Sequence, residues 1–126
     1  KEFIETRDME PTLVPRAPSW LAGILNHHGD PLPLIMPDRL LGLPAKRFEK
    51  GKPVVAIQSD SLTMGIQVDQ MLSVANIPLT ECAPHPLHSV NPVYASVAFV
   101  PGIGVVDILD PGQIAAIMLR DINFGL

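Results

Sequence analysis

The sequence predicts an all-β fold of the small barrel or sandwich class, and three observations predict it. The first is proline. The 126 residues hold 14 prolines, about twice the usual share of ~5%. A proline inside a helix costs ~3 kcal/mol, and only one proline-free stretch, residues 54–77, is longer than 20 residues, so a helix bundle is excluded. The second is that this stretch alternates. Leu62, Met64, Ile66 and Val68 are apolar, with Gly65, Gln67 and Asp69 in the alternate places, the period of two expected of a strand with one buried face. The third is that short apolar runs are punctuated by Pro/Gly turns throughout, the pattern of barrels and sandwiches.

In chain order, residues 22–26 and 32–35 read as strands flanking His27-His28-Gly29-Asp30, whose Gly-Asp suits a hairpin tip. Pro33 has no amide donor, so its strand must lie at an edge or leave that position unpaired. Asp38-Arg39-Leu40-Leu41 follows Pro37 and precedes Gly42, which frames one short helical turn. Residues 53–58 form a strand, Ser59-Asp60-Ser61 a turn, and residues 62–69 the returning strand. The alternation slips at Gln70-Met71-Leu72, where a bulge would return Leu72 and Val74 to the core side. Residues 78–92 hold four prolines and no periodicity, and read as a connector. Residues 93–100 and 105–109 pair across Pro101-Gly102-Ile103-Gly104. Asp110 can cap a helical turn that starts at Pro111 and runs through Ile117. The chain has the length of one domain and shows no internal repeat.

Composition narrows the function. Hydrophobic residues make up 47% and charged residues 17%, against roughly 25% charged in a typical soluble domain; the surplus of apolar surface points to a binding face. Nine basic residues stand against 13 acidic ones, the wrong sign for a phosphate backbone, so nucleic acid is not an expected partner. The basic cluster Lys46, Arg47, Lys50 and Lys52 reads as a solvated loop, with a docking patch as the alternative. Cys82 is the only cysteine, which excludes an internal disulfide and fits a reducing cytoplasm. No apolar run reaches the ~18 residues that cross a bilayer, and no signal-peptide pattern opens the sequence; direct membrane insertion is not expected.

Chemistry-bearing residues are sparse. Cys82, His85 and His88 are spaced i, i+3, i+6, and would face one way on a polyproline helix, with Glu81 as a fourth zinc donor. Structural zinc sites draw ligand pairs from two segments, and no second pair is evident, so an exposed loop is the expectation. His27 and His28 read as solvated or interfacial. No Gly-x-Ser-x-Gly elbow occurs, and Gly102-Ile103-Gly104 lacks the third glycine and helix of a dinucleotide loop. Asp69 reads as a strand end and Asp110 as a cap. Trp20 suits either the core or an interface anchor. No catalytic residue, metal ligand or cofactor is assigned.

The order of motifs resembles the CheW-like family. The stretch from Pro18 to Ile35, with Gly23-Ile24-Leu25-Asn26-His27-His28-Gly29 at its centre, follows the family's Gly-apolar-apolar-Asn-Leu-Arg-Gly and its apolar-Pro-apolar-apolar strand. Leu40-Leu41-Gly42-Leu43, then Gly65-Ile66-Gln67-Val68-Asp69-Gln70-Met71, then Val106-Asp107-Ile108-Leu109-Asp110 continue the match in family order. The resemblance covers nearly the whole chain, read as a single CheW-like domain over residues 1–126. It implies two small SH3-like β-barrels packed together, no enzymatic activity and no cofactor. It also implies a cytoplasmic adaptor that couples the helical tip of a chemoreceptor to the regulatory domain of the histidine kinase in a bacterial chemosensory array. By position, Gly23, Gly65, Met71 and Val74 match family residues implicated in receptor or array contacts. Glu5 resembles the acid of a Val-x-Glu motif, and Asn26 is the Asn of Asn-Leu-Arg-Gly.

Three departures accompany it. His28 replaces the family's arginine, exchanging a fixed cation for a titrating ring. Val97-Ala98-Phe99 replaces a Gly-apolar-Gly, putting side chains where a backbone would approach. The family's first two strands, about 20 residues by ordinary strand and turn lengths, would precede Phe3 and are absent. The domain is then expected to be a fragment, or to complete its sheet otherwise, and its open edge to favour self-association. The nearer alternative function is the same domain excised from a larger kinase or a receiver-linked adaptor, which gene length separates. The distant one is a small β-barrel metal-binding or catalytic protein, which elemental analysis separates.

Overall fold

The alternating segment lies in the middle of a five-stranded sheet in the computed structural model, which describes residues 2–4, 10–44, 47–59 and 62–124. The strands are β1 (Glu2–Ile4), β2 (Leu21–His27), β3 (Asp30–Ile35), β4 (Val54–Ser59) and β5 (Leu62–Gln67), ordered β1-β4-β5-β3-β2. A second sheet holds β6 (Cys82–Pro84), β7 (Tyr94–Val100) and β8 (Gly104–Leu109) in that order. Two helices complete the fold, α1 (Pro37–Leu41) and α2 (Pro111–Phe124). The fold is all-β, as the resemblance implies, with its strands gathered in two sheets among the described residues.

All three expected hairpins form. Ile57 pairs with Met64 and Ser59 with Leu62 across β4–β5, His27 with Asp30 across β2–β3, and Val100 with Gly104 across β7–β8. At the β2–β3 tip His28 and Gly29 both take positive φ, 54° and 83°, the pattern of a two-residue type I′ turn whose twist matches the strands. The Asn26 side-chain oxygen accepts the Gly29 amide at 3.0 Å. Strand β3 is internal, yet it meets β5 only at Leu34 and Ile35. Pro31 and Pro33 face β2 alone, so Pro33 takes the second of its two allowed placements.

Strand β5 departs from the expectation of one buried face, because Met64, Gly65, Ile66 and Gln67 are all buried. Met64 and Ile66 join Trp20, Ile35, Val93, Ile114, Ala115 and Met118 in one cluster under α2. Leu25, Leu32, Leu34, Val54 and Ala56 form a second cluster, with Phe48 and Ala22 against it. Gly65 faces this second cluster. A Cβ there would lie 3.0 Å from Val54 Cγ1 and 3.1 Å from Leu32 Cδ2. Gln67 is buried because its amide closes a loop: it accepts the Glu49 N–H at 3.0 Å and donates to the Glu49 carbonyl at 2.8 Å. A buried amide so paired avoids the ~1–3 kcal/mol cost of an unsatisfied group.

Two further expectations are corrected. No bulge returns residues 70–74 to the core. The strand ends at Gln67, residues 68–78 run without a ladder partner, and Leu72 and Val74 are 67% and 90% exposed. The connector over 78–92 contains a 3-10 turn at Leu79–Glu81 and the short strand β6, which pairs with β7 from Cys82↔Ala98 to Pro84↔Ser96.

The C-terminal helical turn is also longer than expected. Asp110 caps it as predicted, its carboxylate accepting the Gly112 amide at 2.9 Å, with Pro111 at the first helical position. The helix then continues to Phe124 because Ile114 and Met118 bury one stripe, and Asp121, one turn on, accepts the Trp20 indole N–H at 2.6 Å. Trp20 is thus core, 4% exposed. The indole donor is the main cause holding the Asp121 carboxyl below its ordinary value of 3.8; partial burial pushes it up, and Arg120 adds a smaller downward pull. A depressed carboxyl stabilises the fold above its unfolded pKa and loses that contribution as pH falls through the folded one. Asp121→Asn, which keeps an acceptor but no charge, is expected to be less stable than wild type at pH 7. The gap should close as pH falls below about 4, as read by urea unfolding at a series of pH values.

Candidate functional site

The apolar surplus of the composition surfaces in a groove of about 540 Å3 between the two sheets. Ile57 and Ile66, with Val68 just past the end of β5, form its wall on the first sheet, and Val100, Val106 and Leu109 its wall on the second. The unladdered segment supplies Met71, Leu72, Val74 and Ile77, and Pro111 and Ile114 close the helix end. Strand alternation builds the walls. In β4, Val54 and Ala56 turn into the second cluster while Val55 and Ile57 turn the other way, towards the groove. Among the described lining residues none is charged, and Ser73 is the one with a polar side chain. Such a surface binds by contact and desolvation.

The CheW-like domain model matches residues 2–117. The chain belongs to the CheW-like domain family. Among solved structures, the scaffolding protein TtCheW from Thermoanaerobacter tengcongensis superposes with a TM-score of 0.72 at 20% identity, over 87% of this chain and 75% of that one. That likeness shows a common fold. No curated protein matches.

On this CheW-like fold the described residues singled out from sequence fall into four groups. Met71 and Val74 meet at the groove, exposed. Asn26 and His28 are exposed at the β2–β3 tip. Gly23 and Gly65 are buried, and what they admit is this chain's own structure. A Cβ on Gly23 would lie 2.7 Å from both Pro11 Cβ and the Thr12 carbonyl oxygen, where φ is +152° and the β2–β3 register shifts. Val97 is half-buried on β7 opposite Asp107 and Ala83, flanked by Phe99, which is 63% exposed. Glu5 lies outside the described residues.

The sequence motifs do not assign Ile57, Val68, Val100, Val106 or Leu109 to a binding surface. A signal existed for the first sheet: Val54-Val55-Ala56-Ile57 is an unbroken apolar run, which marks a strand covered on both faces.

Cys82, His85 and His88 do not converge. The chain leaves strand geometry after Pro84, so no polyproline repeat aligns them, and no metal-ligating group of three occurs among the described residues. The Cys82 thiol sits 3.6 Å from the Pro78 carbonyl. His85 stacks on Tyr94 at 4.4 Å between ring centroids. Its Nδ1 accepts the Leu87 amide at 3.0 Å, so its Nε2 carries the proton and donates to Asp107 at 3.0 Å. His88 Nδ1 donates to the Tyr94 carbonyl at 2.9 Å. The histidines therefore pin the 85–91 turns to β7 and β8. His85→Phe keeps a ring against Tyr94 but leaves the Leu87 amide unpaired. Its amide exchange is expected to rise at least tenfold, with the central β7–β8 amides unchanged, in hydrogen-exchange NMR.

Proposed function

We propose that this CheW-like domain is a non-enzymatic adaptor that couples chemoreceptors to a histidine kinase in a chemosensory array. The observation that carries the reading is the uncharged groove with Met71 and Val74 on its exposed lip. An apolar channel between two sheets suits the apolar stripe of a helical tip, seated as a helix in a groove. The β2–β3 tip, with Asn26 and His28 exposed, is the surface that faces the kinase's regulatory domain.

The test is calorimetric titration with a receptor cytoplasmic tip from the same organism. Val74→Glu and Met71→Glu place a charge on an exposed lip and should leave the fold intact. Each is expected to weaken receptor binding at least tenfold, about 1.4 kcal/mol. Val105→Glu, on the 75% exposed residue opposite Phe99, should bind as wild type. Undiminished binding by both lip variants would remove the groove from the receptor interface. A regulatory domain of a longer kinase or receiver-linked adaptor would use the same groove, and the length of the gene separates the two settings.

Self-association belongs to the same proposal. Strand β8 has β7 as its single ladder neighbour among the described residues, and such an edge is a template for another chain. Sedimentation at micromolar concentration is expected to give a mass above 13.6 kDa that falls with dilution, and Val105→Lys should shift it towards monomer. A monomer at all concentrations would exclude pairing through this edge.

A further inference from the structure

A second concavity, of about 380 Å3, lies on the first sheet, within the size range of ligand pockets. Pro11, Leu13, Ala22, Met36 and Phe48 supply its apolar lining, and Arg39 and Arg47 line it as well. Its walls are held from several sides. The 10–14 segment is tied to β2 by reciprocal hydrogen bonds between Thr12 and Ile24, 2.8 and 2.9 Å. Met36 is buried at the start of α1, and Phe48 packs on the second core cluster.

Charge sets this pocket apart from the groove between the sheets. The chain is acidic overall, yet five of its nine basic residues, Arg39, Lys46, Arg47, Lys50 and Lys52, fall between positions 39 and 52. Two of these are answered internally: Lys50 pairs with Glu10 at 2.6 Å, and Lys52 lies 3.3 Å from Asp69 and 3.9 Å from Glu49. Arg39 and Arg47 are exposed and have no carboxylate partner among the described residues. Two guanidinium groups from different elements, beside an apolar floor, complement carboxylates that flank an apolar side chain. Arginine is suited to that pairing, because its planar fork holds a carboxylate through two parallel hydrogen bonds. Leu13, 78% exposed, leaves apolar surface for an extended occupant to cover.

We propose that this pocket is a second docking site, which takes an acidic amphipathic segment of a partner protein: one bulky apolar side chain against Met36 and Phe48, and carboxylates on Arg39 and Arg47. The site is separate from the groove assigned to the receptor, and does not rest on that assignment.

Fluorescence anisotropy on the whole chain tests it, with a labelled ten-residue peptide of glutamate and leucine bearing one central phenylalanine. The same peptide with lysine for glutamate is the comparison. The acidic peptide is expected to bind, the lysine peptide at least tenfold more weakly, and raised salt to weaken the acidic peptide as exposed ion pairs are screened. Arg39→Gln with Arg47→Gln should cost at least tenfold, with unchanged urea unfolding showing that the fold survives. Met71→Glu, in the other groove, should leave binding of the acidic peptide unchanged. Equal binding of both peptides, full binding by the double variant, or loss of binding in Met71→Glu would each overturn the proposal. So would an acidic peptide that fails to bind while free decanoate does, which would give the pocket to a small anionic amphiphile.

Discussion

Strand β5 has to be dry on both faces, and most of the molecule is arranged to make it so. One face needs α2, which brings Ile114, Ala115 and Met118 over Met64 and Ile66. The other needs Leu32 and Val54 to close over Gly65, where a side chain would crowd both at 3.0–3.1 Å. A single β-hairpin in water is marginal. The β4–β5 pair becomes stable because β3 adds a short parallel ladder on its far side, and two apolar clusters then sandwich the resulting sheet. The cost is an interior that tolerates little change of volume, since overpacking a close-packed core costs about 1–3 kcal/mol.

That arrangement explains which parts of the fold were legible in the sequence. Hairpins were, because turn chemistry and alternation are local: Gly29, Gly102 and the 62–68 pattern each speak for themselves. The reach of α2 was not. Ile117 is an unremarkable place to end a short helix, and the remaining residues are held by the Trp20–Asp121 bond, whose partners stand 101 positions apart. Gln67 misled for a related reason. A polar residue in strand alternation reads as solvent-facing, and only the Glu49 backbone, 18 positions away, makes it buried.

The candidate site divides the same way. Family order drew attention to Met71 and Val74, and they do meet at the groove. Its second wall, from Val100, Val106 and Leu109, depends on how the two sheets face each other, and no local pattern encodes that. Gly23 and Gly65 show the converse. A glycine marks a close approach, but sequence does not say whether what approaches is a partner or the chain itself. Here Pro11–Thr12 and Leu32–Val54 occupy both approaches.

Trp20 is the only tryptophan of the chain, and its indole nitrogen is bonded to the helix whose opposite end borders the apolar groove. The molecule therefore carries its own optical probe. Pro111 and Ile114 line the groove and Asp121 holds the indole, all on one rigid rod of 14 residues. A guest that levers the start of that rod alters the polarity around the ring at its other end. The emission colour of unlabelled protein thus becomes a readout of what occupies a cleft the fluorophore itself never touches.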